Sequence, residues 1–567
     1  MDTVSLVLLL LFVTSATGVA ARFLPSLPIP LVQILFGALL AWPAGGLHVT
    51  LEPELFLLLF IAPLLFSDAR RFPQRELMAL RGPILALALG LVLCTVVVVG
   101  YLVHWVVPGI SLPVAMALAA VLSPTDAVAV SAISGRLPVP PRLMRVLEGE
   151  SLMNDASGLV AFKFAIGAAV TGVFSYTQAT IGFFGIAVGG LAVGGVCAFI
   201  FSFIRTRLID RHGGEESATQ IVLFQLLLPF VVYLLSEHFH MSGILAAVAA
   251  GLIINRTDLK RESQVRVRLK TRSMWEIIEF VLNSLVFLLL GFQLPDIIRN
   301  AFVNTIANTD TPFGLTHLVS YVLIITAALM FLRFTWIFMA AKSSGLIARI
   351  RGNQAQRISM RLMGVSTIAG IRGTITLAAA LSFPHVLHGA QFPNRDLLIF
   401  IATGVILMTL IIASIGMPLL LKNLDVPSDE RVRHEERQAR QMASKAAIQR
   451  IEQYRQQRIE TMTNAYGDQN DPELNDRLLA YTDVSTQLLS DYQERMAVED
   501  DRVSCDRLEL LHEVERELRI EALHAERREI YRLRSRHRIN DELLHRLVGE
   551  IDLAETALTG VVANGHH

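Results

Sequence analysis

Hydrophobic residues in this chain come in long blocks. From residue 3 to about 421, apolar stretches of roughly 15–25 residues alternate with short polar loops, which is the length a membrane helix needs. The pattern predicts thirteen spans, at 3–20, 29–42, 54–67, 83–106, 113–133, 151–173, 181–204, 219–235, 241–255, 275–294, 315–341, 362–383 and 397–421. After 421 the blocks stop. The remainder is polar and charged, with helical stretches such as "DRLELLHEVERELRIEALHAERREIYRLRSRHR", where opposite charges three and four apart support a helix. Leu508, Leu511, Val514 and Leu518 form a partial apolar stripe there, and "NAYGDQNDPELND" divides the tail into two bundles. The expected organisation is a polytopic membrane domain over 1–421 and a helical tail over 422–567.

The charges outside the blocks set the orientation. Alternate loops carry Arg22; Arg70, Arg71, Arg75 and Arg81; Arg136, Arg142 and Arg145; Arg205, Arg207 and Arg211; a basic run from Arg256 to Arg272; and Lys342, Arg349, Arg351, Arg357 and Arg361. The opposite loops carry only Arg299 and Arg395. By the excess of basic residues on the cytoplasmic side, the N-terminus lies outside and the tail is cytoplasmic. Residues 3–20 lack the basic flank of a signal peptide and read as the first span.

A few ionisable groups fall inside the blocks, where each costs several kcal/mol unless it is paired or faces a wet cavity. They are Asp126, Glu150 and Asp155 at the entry of the 151–173 span, Lys163, Glu279, Arg333 and Arg372, with Asp68 ending the 54–67 span. Ser151 and Asp155 are i and i+4, so Ser151, Asn154 and Asp155 present oxygens to nearly one side of a helix, as a hard cation requires. A carboxylate hydrogen-bonded for packing would use the same spacing. Lys163 lies two turns beyond Asp155, about 12 Å along the axis; a neutral lysine, an interhelical partner and a surface position all fit it.

Two spans carry internal breaks. In "LAAVLSPTDAVAV" (118–130), Pro124 has no N–H and breaks the helix near Ala120–Thr125, which frees carbonyls and places Asp126 to cap the second half. In "GVSTIAGIRGTITLAAAL" (364–381), Gly370 and Gly373 bracket Arg372, whose charge suits half-helix C-terminal ends or a pair with Glu150. The two breaks lie seven spans apart, so the segments run in opposite directions. Inverted repeats, with broken helices crossing at the midplane, are the layout in which secondary transporters hold ions.

The stretches "SPTDAVAV" (123–130), "GESLMNDASGLV" (149–160), "SGILAAVAAGLI" (242–253), "FLLLGFQLP" (287–295) and "GIRGTITLA" (370–378) resemble the bacterial sodium/proton antiporters of the monovalent cation:proton antiporter-1 family, related to animal sodium/proton exchangers. The resemblance covers nearly all of 1–421 and leaves out the tail. It implies an all-α, 13-helix antiporter fold in the inner membrane of a bacterium, and a homodimer. In that layout core spans at about 83–173 and 315–421 move against dimerisation spans at about 1–67 and 181–294. It implies that Asp155 takes sodium or a proton, that Ser151, Asn154 and the Thr125 main chain complete the ion shell, and that Glu150 and Arg372 form the core ion pair. It also implies an acid near the end of the third span, for which "LLFSDARRF" offers Asp68, or Ser67 in its place. Asn154, where some relatives have a second acid, implies one cation per proton and electroneutral exchange.

Composition narrows the alternatives. The chain is 53% hydrophobic, above the usual soluble range. Its basic residues sit in short loops with few aromatics among them, which excludes a nucleic-acid surface. Cys94, Cys197 and Cys505 have neither disulfide nor zinc spacing. No catalytic or cofactor motif occurs; the expected ligands are Na⁺ and H⁺, with Li⁺ or K⁺ as oxygen-shell alternatives. The competing function classes are a K⁺/H⁺ antiporter, a transporter-like sensor signalling through the tail, and a channel, which would not couple proton flux to cation flux.

Overall fold

The structure is a computed structural model that describes residues 3–23, 27–41, 52–134, 139–171, 176–212, 215–259, 265–307, 315–350, 359–384, 386–387, 390–392, 394–422, 430–465, 472–498, 502–536, 538 and 541–559. The chain forms two compact units, Met1–Val426 and Pro427–His567. The first unit is built from α1 (Thr3–Phe23), α2 (Ile29–Ala41), α3 (Pro53–Phe56), α4 (Ala62–Arg71), α5 (Gln74–Ala79), α6 (Arg81–Leu85), α7 (Val92–Val106), α8 (Leu112–Val121), α9 (Ala127–Ser134), α10 (Pro141–Thr171), α11 (Tyr176–His212), α12 (Glu215–His238), α13 (Gly243–Leu259), α14 (Val265–Ala307), α15 (Leu315–Ile350), α16 (Met360–Ile368), α17 (Thr374–Leu381) and α18 (Arg395–Leu421). Two wide π-helical turns, Leu57–Ile61 and Ala86–Leu91, join α3 to α4 and α6 to α7. A two-residue hairpin, β1 (Val386–Leu387) against β2 (Ala390–Gln391), precedes α18.

Each expected span coincides with a helix or with consecutive helices, because a chain in hydrocarbon must satisfy its backbone internally. Many helices continue past the apolar block that announces them. The most consequential case is α10, which starts at Pro141 rather than near Ser151. Proline at a first helical position is favourable, since its missing N–H would have no partner there. Glu150 and Asp155 therefore stand well inside a 31-residue helix and not at its entry. Neighbouring helices also approach closely: a Cβ on Gly291 of α14 would lie 2.0 Å from the backbone oxygen of Ile34 on α2.

The two interrupted helices meet at their breaks. α8 ends at Val121 and α9 begins at Ala127; α16 ends at Ile368 and α17 begins at Thr374. The Asp126 N–H donates to the Ile371 carbonyl at 2.8 Å, tying one break to the other. The Asp126 carboxylate accepts from the N–H groups of Val128 (2.9 Å) and Ala129 (3.0 Å), capping α9 as its spacing predicts. The same carboxylate lies against Gly373, where an added Cβ would come within 1.8 Å of Asp126 Oδ2. Only glycine lets α17 begin there. Arg372 serves the opposite ends: it donates to the carbonyls of Leu122 (2.8 Å) and Gly370, the last turns of α8 and α16. An acid thus faces the N-terminal ends of α9 and α17, and a cation the C-terminal ends of α8 and α16, as the helix dipole favours.

The core ion pair differs from the expected one. Glu150 is held not by Arg372 but by Arg333 of α15, whose two terminal nitrogens reach the two carboxylate oxygens, one contact being 2.7 Å. Arg333 Nε donates to the Ser366 carbonyl of α16 at 3.0 Å. The physical reason is occupancy: the Arg372 donors are taken by helix-end carbonyls, while the planar Arg333 fork matches a carboxylate edge-on. Both side chains are at most 2% exposed, so the pair locks α10, α15 and α16 together.

The second unit contains α19 (Glu430–Ala465), α20 (Pro472–Val498), α21 (Arg502–Ser535) and α22 (Asp541–Thr559). α19 packs along α20 and α21 along α22. The predicted break thus falls between α19 and α20, the two helices of one packed pair, and its residues 466–471 lie outside the described residues. On the α21–α22 face, Arg527 binds Asp552 (2.6 Å) and Glu555, and holds the Glu555 carboxyl below the usual carboxylate range. Val514 and Leu518 of the predicted stripe are exposed.

Removing one member of a buried ion pair strands the other. Glu150→Gln or Arg333→Met alone is expected to cost about 3–5 kcal/mol of stability, and Glu150→Leu with Arg333→Met together to cost less than either. Thermal unfolding of the purified protein in lipid nanodiscs checks this; equal losses in all three variants would mean that no such clamp exists.

Candidate functional site

The crossing closes one side of a cavity of about 30 Å³. That is room for two or three water-sized bodies, which suits an inorganic ion. Ser151 and Asp155 reach it from α10, one turn apart, and Thr125 and Asp126 from the α8–α9 break. Asp68 of α4, Asn283 of α14 and Thr376 of α17 complete its oxygen-bearing lining. Ile61, Leu64, Leu65 and Ile375 supply apolar wall. Toward the C-terminal ends of α10 and α17, Phe162 meets Phe383 edge-on with ring centroids 5.2 Å apart, and Phe383 packs on Phe392.

Asn154 stands just behind the lining. Its amide donates to Thr125 Oγ1 at 2.7 Å, which orients the break, while its own Oδ1 is buried without a partner among the described residues. Ser151 Oγ accepts from the Ala127 N–H at 3.3 Å. The expected ligand set of Asp155, Ser151, Thr125 and Asp68 therefore shares one cavity, with Asn154 braced against it. Asp126 lines the cavity as well as capping α9. Glu150 and Arg372 point elsewhere, into the ion pair and the helix ends.

The structure separates Ser67 from Asp68. Successive residues on a helix point about 100° apart. Asp68 lines the cavity, and Ser67, fully buried, donates to Glu279 of α14. Glu279 also accepts from Arg71 at 2.6 Å. Lys163 is exposed and lies 3.4 Å from Glu237 of α12, so it reaches another helix and not the cavity.

Three participants escape the sequence reading. Arg333 is visible as an intramembrane charge, but nothing in the pattern names its partner. Asn283 and Thr376 are polar positions within membrane helices, and periodicity alone does not tell a cavity wall from a helix contact. The oxygen-rich lining suits a hard monovalent cation. Among the described residues no three His, Cys, Asp or Glu side chains converge as a transition-metal centre.

Comparison with known proteins shows the family. The family model described as "Sodium/hydrogen exchanger, transmembrane" matches residues 7–423. The chain is 42% identical over 555 residues to the uncharacterized Na⁺/H⁺ exchanger YjcE of Escherichia coli, spanning 97% of this chain and 98% of that one. It is 46% identical over 447 residues to the sodium, potassium, lithium and rubidium/H⁺ antiporter of Bacillus pumilus, covering 77% of this chain and 65% of that one. Its fold is similar to that of the sodium proton antiporter MjNhaP1 from Methanocaldococcus jannaschii, with TM-score 0.55, 19% identity, and 73% and 100% of the two chains covered. The chain belongs to the transmembrane sodium/hydrogen exchanger family, whose members carry ions across membranes and are not enzymes.

Proposed function

We propose that the protein is a secondary active antiporter that exchanges cytoplasmic Na⁺ for external H⁺ through one shared site at Asp155. The observation that carries this reading is the cavity itself: ion-sized, bordered by two helix breaks and containing a carboxylate one turn from a hydroxyl ligand. Charged Asp155 binds a cation stripped of water, with Ser151, Thr125 and Asp68 supplying further oxygens and Asn154 fixing Thr125. Protonated Asp155 holds no cation. Either neutral load lets the core spans move; the empty, charged site does not, because an unpaired carboxylate would have to cross hydrocarbon. One carboxylate shared between one cation and one proton makes the exchange electroneutral, and an inward proton gradient drives sodium out, serving pH and sodium homeostasis.

In this reading, spans 83–173 and 315–421 form two inverted repeats that carry the site past dimerisation spans 1–67 and 181–294 of a homodimer in a bacterial cell membrane. The N-terminus lies outside. Asp68 sits next to the basic 70–81 loop, so the cavity is reached from the cytoplasm, with the Phe162–Phe383 contact closing the outer side. The cytoplasmic tail regulates or stabilises the dimer. A wider ion range is a second reading, favoured by the four cations in the name of the Bacillus pumilus relative; hydroxyl, amide and carboxylate oxygens accept Na⁺, Li⁺ and K⁺ alike.

Two measurements test this. In vesicles carrying an interior pH dye, Asp155→Asn is expected to reduce cation-induced pH change to background while the protein still elutes as a single folded species; retained exchange refutes the site. Truncation after residue 425 is expected to leave exchange working with an altered pH or cation dependence, whereas a pure sensor would show no coupled exchange in the full chain or the truncated one.

A further inference from the structure

Many hydroxyls on the helices of this protein bond back to their own backbone. Thr335 donates to the Phe331 carbonyl at 2.8 Å, Thr367 to Met363 at 2.8 Å, Ser382 to Ala378 at 2.8 Å and Ser414 to Leu410 at 2.6 Å. That is the ordinary way to satisfy a hydroxyl in hydrocarbon. Thr376 departs from it, as do Thr14, Ser236, Thr271, Thr326 and Thr403, but among these described residues only Thr376 lines the cavity. Thr376 is fully buried, and its Oγ1 has no partner among the described residues.

Its position in the chain explains the departure. Thr376 stands in the first turn of α17, so the residues three and four before it are Gly373 and Arg372, both in the break. Gly373 is extended, with φ −139° and ψ −141°, and its carbonyl accepts from the Leu377 N–H. The Thr376 hydroxyl bonds to neither the Arg372 nor the Gly373 carbonyl. An unpaired buried hydroxyl costs free energy, and Thr376 is one of the residues that line the cavity holding Asp155. The positive end of α17 would repel a cation there, but the Asp126 carboxylate sits against Gly373 at that end. The hydroxyl oxygen keeps both lone pairs for a ligand inside the cavity.

We propose that Thr376 is a direct cation ligand of the Asp155 site and sets its discrimination among Na⁺, Li⁺ and K⁺. The proposal rests on the antiporter reading and adds to it an oxygen from the second broken helix. Held on a buried half-helix, that oxygen fixes the radius of the shell. Small ions lose more hydration on entry and depend most on a full set of close oxygens, so losing this one penalises Li⁺ and Na⁺ more than K⁺.

The test uses the full-length protein in vesicles, with apparent KM for Na⁺, Li⁺ and K⁺ read from cation-induced pH change. Thr376→Val keeps the shape and removes the oxygen; it is expected to raise the Na⁺ and Li⁺ KM about tenfold and the K⁺ KM less, the size of losing one contact to a charge. Thr376→Ser is expected to restore the affinity. A Na⁺-dependent rise in unfolding temperature, present in the parent and reduced in Thr376→Val, checks binding apart from transport. Should Thr376→Val not fold, Thr376→Ala against Thr376→Ser carries the same comparison. Unchanged KM values and ion ratios in the oxygen-free variant, with Asp155→Asn inactive, overturn this proposal alone. Activity in Asp155→Asn overturns the antiporter site on which it rests.

Discussion

A broken helix inside a membrane leaves carbonyls and N–H groups that water cannot reach, and this protein has two such breaks side by side. Everything at the site depends on how those groups are satisfied. The Asp126–Ile371 backbone bond joins the breaks, the Asp126 carboxylate faces the half-helix N-terminal ends, and Arg372 caps the C-terminal ends. Two fixed charges of opposite sign settle the crossing electrostatically. With the backbone satisfied by these groups, neither break needs the Asp155 carboxylate on the cavity wall, as the proposed ion site requires.

The Glu150–Arg333 pair has a different task. It lies outside the cavity, fully desolvated, and clamps the helix that carries Ser151 and Asp155 to α15 and α16. Such a pair adds little net stability over an apolar replacement but fixes register strongly, because any slip strands a charge. Helix register is thereby held by one buried ion pair, while the proposed ion exchange falls to another acid, and the two acids stand only five residues apart on one helix. The Ser67–Glu279–Arg71 contacts tie α4 to α14 on the Asp68 side and keep a further acid paired.

Much of this was legible in the residues. Apolar block length located the helices because hydrocarbon leaves a spanning chain few alternatives. Pro124 and the Gly370–Gly373 bracket marked the breaks, and the Asp126 cap followed from its place after a proline. The misreadings share one cause: periodicity describes a single helix, while partners are set between helices. Charge alone leaves Arg372 two partners, the half-helix ends or Glu150, and the resemblance favours Glu150; the carbonyls of two helix ends hold it instead. α10 began ten residues early because basic residues near Pro141 hid a continuing helix. Ser67 against Asp68, and the place of Thr376 on the cavity wall, are questions of side-chain direction that only three dimensions answer.

The central claim is that one carboxylate holds either a metal cation or a proton. Calorimetric titration of Na⁺ into the purified protein, repeated in buffers of different ionisation enthalpy, counts protons released per ion bound. The expected result is about one proton per Na⁺ where Asp155 starts protonated, falling toward zero as pH rises and it starts ionised, with no Na⁺ binding in Asp155→Asn. Saturable Na⁺ binding that releases no proton at any pH would contradict the account.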